Sequence, residues 1–209
     1  MPGFPLTGKP LIPTDNHAPG AALDKFSFFF AFYGLILGLA VAELLSGFGN
    51  VVRAGLLKKI GAQTALLALF ILLVICATWI DAWKSLRTVG LDFYGLWAPI
   101  TIAILYYLSA TIVFPRNPAE VSSLDDYFDQ RKRFIVGLML AAEFVVNYTF
   151  LPITEYNWQH DRGYFWWHLV FYNVLIKIVF VALFFARGKR QNIAALLALL
   201  AIFISIYWI

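Results

Sequence analysis

The sequence predicts an all-α fold, a polytopic transmembrane helical bundle with six spans. Of the 209 residues, 61% are hydrophobic and 13% are charged, whereas soluble globular domains have about 45–50% apolar and about 25% charged residues. The mean hydropathy of +0.76 agrees with a membrane protein. The apolar stretches are also long, and a helix needs roughly 20 mostly apolar residues to cross a hydrocarbon core about 30 Å thick.

Six apolar stretches approach or exceed this length, and they occupy nearly all of the chain after residue 25. The last stretch is the shortest. Together they predict one transmembrane domain over residues 26–209, without a separate soluble domain. The predicted spans are 26–48, 65–83, 94–114, 134–153, 164–186 and 193–209.

The first 25 residues are predicted to form an extended extracytoplasmic arm. Proline fixes its own φ and lacks a backbone N–H, so a proline-rich segment disfavours a helix. The segment also lacks the basic start and following apolar stretch of a signal peptide, and we expect it to be retained. Its prolines are Pro2, Pro5, Pro10, Pro13 and Pro19.

The distribution of lysine and arginine predicts the orientation, because basic residues beside spans are retained in the cytoplasm. Of the 16 basic residues, ten lie around the first, third and fifth connections and five lie in the tail and the other two connections. Both termini are therefore predicted to be extracytoplasmic. The lipid bilayer is the expected partner of these residues, and nucleic acid is not. The ten are Arg53, Lys58, Lys59, Arg116, Arg131, Lys132, Arg133, Arg187, Lys189 and Arg190.

The longest connection, residues 115–130, leads into the fourth helix. Ser123 and Asp126 have the spacing of a capping box, in which side-chain oxygens accept hydrogen bonds from the free N–H groups at a helix start. The fourth helix is therefore predicted to begin in the cytoplasm, before its apolar stretch. We interpret its charged first turns as a solvated helix start.

Small residues recur at three- and four-residue intervals in the first span. Membrane helices associate by close packing, so such a stripe marks a face that contacts another helix. The contact can lie within the chain or across a homo-oligomer. The predicted packing face consists of Ala31, Gly34, Gly38 and Ala42.

Four polar residues at mid-span form the principal candidate site. Glu143 and Asn147 lie on the fourth span, and Asn173 and Lys177 lie on the fifth. Residues four apart share a helix face. In an antiparallel hairpin, pairs of residues at equal depth all have the same sum of position numbers, and the pairs Glu143/Lys177 and Asn147/Asn173 have the same sum. The spacing therefore predicts that Glu143 faces Lys177 and that Asn147 faces Asn173.

The energetic reason for such a pairing is that a lone charge near the bilayer centre costs at least about 2.5–3.5 kcal/mol. Two interpretations remain open. The residues form a polar clamp that holds the hairpin together, or they form an ion or proton site in a small channel or transporter for ions or solutes. Intramembrane ionisable residues often mark transport pathways.

Three further polar residues lie nearer the span boundaries and are secondary candidates. Glu43 is expected to pair with Arg53, Lys58 or an incoming basic loop. Asp81 and His168 lie near the outer surface, where each can reach water or the other. For all three, satisfaction at the membrane boundary is the simpler explanation.

The sequence contains no catalytic or phosphate-binding motif and no metal-ligand spacing, so neither an enzyme nor a cofactor is predicted. The single cysteine, Cys76, excludes an internal disulfide or a cysteine metal cluster. Besides a channel or transporter, the remaining class is a non-catalytic structural or accessory subunit of a larger membrane complex.

Three segments carry a resemblance to known proteins. Residues Phe32–Gly47, Tyr106–Ala110 and Val113–Pro115 resemble a group of small uncharacterised bacterial multispanning membrane proteins. This resemblance implies a location in the bacterial inner membrane. It implies no activity and no site residues.

Overall fold

The computed structural model describes residues 19–85, 93–121, 123–149, 162–164, 166 and 171–208. Within these ranges the chain forms six helices longer than one turn and no strand, which confirms the all-α prediction. A single helical turn, Arg162–Tyr164, precedes the fifth helix. The helices are α1 (Pro19–Arg53), α2 (Ala62–Ser85), α3 (Phe93–Val113), α4 (Leu124–Thr149), α5 (Tyr172–Phe185) and α6 (Lys189–Trp208).

Four of these helices are long and apolar enough to cross a membrane, namely α1, α2, α3 and α6. This composition is that of a multi-pass membrane protein. Helix α4 has 26 residues, but its first turns are charged, and α5 has 14 residues. The described residues therefore show four of the six predicted spans as apolar helices of spanning length.

Helix α1 begins at Pro19, earlier than the predicted start at residue 26. Proline is well tolerated at the first helical position, because its fixed φ suits the helix and its missing N–H would have no partner there. The last part of the predicted arm, residues 19–25, is therefore helical. Residues 1–18 of that arm lie outside the described residues.

The end of α1 is closed by a Schellman motif, which needs a residue with positive φ just beyond the helix. Gly55 has a φ of 69°. Its N–H donates to the carbonyl of Val52 at 2.9 Å, and the N–H of Leu56 donates to the carbonyl of Val51 at 3.0 Å. These bonds satisfy two carbonyls that the helix end would leave free, so α1 stops at the first basic connection.

The start of α4 is capped as predicted. The Ser123 hydroxyl oxygen accepts hydrogen bonds from the backbone N–H groups of Asp125 and Asp126, at 3.1 and 3.3 Å. The helix therefore begins at Leu124, about ten residues before its apolar stretch.

The core lies between α1, α3 and α4, and α2 packs against α1, α3, α4 and α6. Along α1 the buried side chains recur every three or four residues, as expected for one face of a helix. Tyr33 on α1, Tyr106 on α3 and Phe128 on α4 are among the largest fully buried side chains. Where α1 meets the end of α3, a Cβ on Gly47 would lie 2.9 Å from the Cβ of Phe114.

Among the described residues, most of the predicted packing face of α1 contacts no other helix. Ala31, Gly38 and Ala42 are exposed, and nothing lies within 4 Å of a Cβ built on Gly38. Gly34 does approach another helix, because a Cβ there would lie 3.2 Å from the Trp79 Nε1 atom. Larger residues, including Tyr33 and Leu37, form the face that packs inside the chain. The alternative of a contact across an oligomer stays a prediction.

The close approach of α1 to α3 predicts opposite effects on stability when two glycines of α1 are replaced by alanine. We expect Gly47→Ala to lower the free energy of unfolding by about 1–3 kcal/mol, because the new methyl group overpacks against Phe114. Gly49 has nothing within 4 Å of its Cβ position, so Gly49→Ala should stabilise α1 by about 0.5–1 kcal/mol through helix propensity. Thermal unfolding in detergent measures both, and equal shifts would contradict the close approach.

Candidate functional site

The predicted polar site lies where α4 packs against α5. The two helices run antiparallel: Arg133, near the start of α4, lies over the ring of Phe184 at the end of α5, with 6.0 Å from its Cζ to the centroid. Eleven residues further along α4, the ring centroid of Phe144 lies 5.8 Å from the Lys177 Nζ atom. Glu143 and Lys177 are therefore brought to neighbouring positions in the helix pair.

Within this site the polar side chains bond along their own helices. The Asn147 side-chain N–H donates to the backbone carbonyl of Glu143 at 2.5 Å. The Lys177 ammonium donates to the backbone carbonyl of Asn173 at 3.3 Å. Each bond reaches back one turn, so part of the polar requirement is met locally rather than across the hairpin.

Glu143 and Lys177 do not form a direct ion pair, although both are described residues and their charges interact. Their carboxylate and ammonium groups lie beyond the 4.0 Å that defines an ion pair, a distance that Lys189 and Asp125 do satisfy. Both side chains are half-buried. The two charges therefore stabilise each other through space without closing the site by direct contact.

Glu43, the first secondary candidate, is exposed and lines a cleft of about 460 Å³ between α1 and the end of α3. Asn50, Tyr107 and Arg116 line the same cleft. The expected partner Arg53 instead donates to the Asn50 side-chain oxygen at 2.6 Å. The basic residue that shares the cleft with Glu43 is therefore Arg116, which belongs to the connection between α3 and α4.

Of the other two secondary candidates, Asp81 is a described residue and lies toward the opposite end of the bundle from Glu43. Asp81 is half-buried on α2, and its charge acts on Tyr33 of α1. His168 lies outside the described residues, so the predicted contact between His168 and Asp81 stays a prediction.

A second polar site was not predicted from the sequence. It is a buried network at the end of the bundle where α2, α4 and α6 begin. Its central residue is Asn192 on α6, which is 0% exposed, and Lys132 on α4 is 4% exposed. We define the polar network as Gln63, Thr64, Asp125, Asp129, Lys132, Lys189 and Asn192.

Asn192 joins three helices through its side-chain amide. Its nitrogen donates to the Gln63 side-chain oxygen at 2.6 Å and to a carboxylate oxygen of Asp129 at 3.1 Å. Its oxygen accepts a hydrogen bond from the Lys132 ammonium at 2.9 Å. Lys132 also donates to the backbone carbonyl of Ala186, which follows the last residue of α5. A cation at this position favours the C-terminal end of a helix.

The burial of Lys132 has an electrostatic consequence. Removal from water lowers the pKa of the Lys132 ammonium from its ordinary value, while the neighbouring Asp129 carboxylate acts in the opposite direction. The hydrogen bonds to Asn192 and Ala186 compensate for part of the lost hydration, because hydrogen bonds to a charged donor are stronger than neutral ones.

The rim of the network ties the start of α4 to two further helix starts. The Asp125 carboxylate forms an ion pair with Lys189 at the start of α6, with 2.5 Å between Oδ2 and Nζ. The Thr64 hydroxyl on α2 donates to the carbonyl of Leu124 at 3.0 Å. Gly61 leaves room for the carboxylate, since a Cβ there would lie 1.8 Å from the Asp125 Oδ1 atom.

Three buried polar atoms of the network have no hydrogen-bond partner among the described residues, namely Gln63 Nε2 and both carboxylate oxygens of Asp125. Of these, Asp125 Oδ2 is still compensated by its ion pair with Lys189. A buried polar atom without a partner costs about 1–3 kcal/mol. These atoms therefore reduce the free energy of unfolding, whereas the hydrogen bonds of Asn192 and Lys132 increase it.

The sequence carried a signal for this network in the periodicity of α4. Phe128, Ile135 and Met139 are buried at helical spacing, and Asp125 and Lys132 occupy the same stripe. We interpreted these charges as a solvated helix start, because charged residues in the first turn of a helix usually face water. The structure shows instead that α2 and α6 cover Asp125 and Lys132.

Across the described ranges, no group of three or more histidine, cysteine, aspartate or glutamate side chains is placed to hold a metal ion. No protein-family model, curated protein or solved structure matches the chain. The site is therefore interpreted from its own geometry.

The polar network predicts that Asn192 contributes strongly to stability. We expect Asn192→Leu to lower the free energy of unfolding by about 2–4 kcal/mol, because it removes hydrogen bonds from a buried cation and from the Gln63 amide. Asn117 is the matched control: it is exposed, and its side-chain nitrogen donates to Glu120 at 2.6 Å. Asn117→Ala should change stability by less than about 0.5 kcal/mol. Chemical denaturation in detergent measures the two variants, and equal effects would contradict a structural role for the network.

Proposed function

We propose that the chain is a six-span protein of the bacterial inner membrane, in which α4 and α5 belong to the fourth and fifth spans. The polar network supports this, because it joins the starts of α2, α4 and α6 at one end of the bundle. Between α4 and α6 the chain must leave this end and return. An antiparallel α4–α5 hairpin that crosses the membrane meets this requirement.

The orientation in this proposal places the polar network on the cytoplasmic side. The end where α2, α4 and α6 begin is also the end of the three basic connections, which include Lys58, Arg116 and Arg190. Basic residues beside spans are retained in the cytoplasm. Both termini then lie outside, as the charge distribution predicts.

This topology predicts the labelling pattern of two cysteine variants in a Cys76→Ser background. A membrane-impermeant maleimide added to intact spheroplasts should label Lys84→Cys, because Lys84 lies at the end of α2, which this topology places outside. Lys59→Cys should react only after lysis, because the first connection lies inside. The reverse pattern would show that the orientation is opposite to the proposed one. Labelling of both variants from outside would contradict the proposal that α2 crosses the membrane.

The function that we propose is the passage of protons or small ions between α4 and α5. The observation that carries it is that Glu143 and Lys177 interact through space without a direct ion pair. A dry clamp gains most from direct contact, because a charge within the hydrocarbon region costs at least about 2.5–3.5 kcal/mol when nothing compensates for it. Because the two groups are not bonded to each other, the Glu143 carboxylate can still bind an ion or a proton carrier.

The division of roles follows from the chemistry of the side chains. The Glu143 carboxylate is the group that can accept and release a proton or bind a cation. The Lys177 ammonium, bonded to the Asn173 carbonyl, is the positive charge nearest to Glu143 in the proposed site and offsets part of the cost of a carboxylate there. Asn147 binds the carbonyl of Glu143 and stabilises the helical turn that holds the carboxylate.

The second candidate function is a non-catalytic accessory subunit of a larger membrane complex. The exposed small residues of α1, Ala31, Gly38 and Ala42, support it, because such stripes allow two membrane helices to approach closely. Purification in mild detergent separates the two candidates. Stoichiometric co-purification with a larger complex favours the accessory subunit, and a homo-oligomer or single chain favours the transport protein.

The transport proposal predicts the flux through reconstituted liposomes. We expect wild-type liposomes to dissipate an imposed proton or alkali-ion gradient. Glu143→Gln should reduce this rate by about tenfold or more, because a neutral amide neither exchanges a proton nor attracts a cation. Lys177→Met should change the rate or its ion selectivity, since it removes the counter-charge.

The matched controls remove the same charges from exposed positions outside the site. Glu120→Gln and Lys59→Met lie in the connections and should conduct as the wild type does. If Glu143→Gln and Lys177→Met also match the wild type, the site assignment is wrong. If the wild-type liposomes hold every gradient, transport itself is refuted and the accessory subunit becomes the better candidate.

A further inference from the structure

A second cleft lies between the end of α3 and the start of α4, and its chemistry differs from that of the Glu143 site. Its volume is about 370 Å³. Arg116 and Arg131 line it together with Thr111 and Tyr127. Its remaining wall is apolar and includes Phe134, whose side chain is 59% exposed.

The two guanidinium groups are available to an external anion. Among the described residues, neither Arg116 nor Arg131 forms an ion pair with a carboxylate. Arg131 lies one helical turn after Tyr127 on α4, and its charge acts on the Tyr127 side chain. Arginine is permanently charged, and its planar fork of N–H donors matches the oxygens of a phosphate group.

The neighbouring cleft limits where an anion can bind. Thr111, Phe114 and Arg116 line both clefts. Glu43 lines only the cleft between α1 and α3. The carboxylate of Glu43 repels anions on its own side. The side with the two arginines therefore favours a negative ligand, and the side with Glu43 does not.

The position of the cleft identifies the source of the anion. It lies where α3 ends at Val113 and where α4 carries its basic residues before the apolar stretch that begins at Phe134. In a membrane this is the level of the lipid headgroups. A ligand with a charged head and an apolar chain can contact the arginines and the exposed Phe134 ring at once, whereas free phosphate would use only the arginines.

We propose that this cleft binds the headgroup of an anionic phospholipid. The lipid phosphate lies between the guanidinium groups of Arg116 and Arg131, and an acyl chain passes along Phe134. Basic pockets between transmembrane helices on the cytoplasmic side bind anionic headgroups in this way. The proposal is independent of ion passage at Glu143, because it uses a different pair of helices and different residues.

The test is native mass spectrometry of the detergent-purified full chain titrated with phosphatidylglycerol or with phosphatidylcholine. We expect the wild type to bind phosphatidylglycerol in preference to phosphatidylcholine. Arg116→Gln/Arg131→Gln should weaken phosphatidylglycerol binding by about tenfold or more, as expected from the loss of two basic residues at a lipid surface. Binding of phosphatidylcholine should not change.

The matched control is Lys58→Gln/Lys59→Gln, which removes two exposed positive charges from another basic connection at the same end of the bundle. It should retain wild-type affinity for phosphatidylglycerol. An equal loss in both double variants would overturn the proposal in favour of diffuse surface charge. Displacement of the lipid by millimolar inorganic phosphate would overturn it in favour of a free-anion site.

A second pair of substitutions guards against misfolding. If the double glutamine variant does not fold, Arg116→Lys/Arg131→Lys keeps both charges and removes the planar fork. We expect this variant to bind phosphatidylglycerol several-fold more weakly than the wild type. Unchanged affinity would show that charge alone is sufficient and would overturn a specific phosphate site.

Discussion

The buried contact of Lys132 with Asn192 and the carbonyl of Ala186 is the interaction on which the arrangement of the helices depends. Apolar helices in a bilayer have no hydrophobic preference for one partner over another, because lipid tails are as apolar as leucine. Polar contacts therefore decide which helix ends meet. Lys132 joins α4 to the end of α5 and the start of α6, and Gln63 brings in α2 through the Asn192 amide.

Much of the helical content could be predicted from the sequence. Apolar length alone indicates α1, α2, α3 and α6, because the hydrocarbon thickness sets the length of a spanning helix. Their ends could not be predicted as well, since they depend on local bonds. The Schellman motif at Gly55 ends α1, and the Ser123 hydroxyl begins α4. Only the second of these was predicted, because its spacing is visible in the sequence.

The candidate sites show where prediction from the sequence fails. Spacing and depth are properties of the backbone, and they bring Glu143 and Lys177 to neighbouring positions in the helix pair. Whether the charged groups touch depends on the conformations of the side chains, and Lys177 bonds to its own helix instead. The polar network was missed for another reason. Whether Asp125 and Lys132 face water depends on helices distant in sequence, and Gln63 and Asn192 are 129 positions apart.

The polar network and the Glu143 site are mechanically linked through α4. Lys132 and Glu143 are three helical turns apart on one face, about 16 Å along the axis. The start of α4 is held by Thr64, Lys189 and the carbonyl of Ala186, so it cannot tilt or slide without breaking buried polar bonds. If α4 moves relative to α5, its displacement should therefore be smallest at this end and should grow with distance from it. Glu143 lies three turns from these bonds, so the distance between Glu143 and Lys177 is the quantity that such a movement would change.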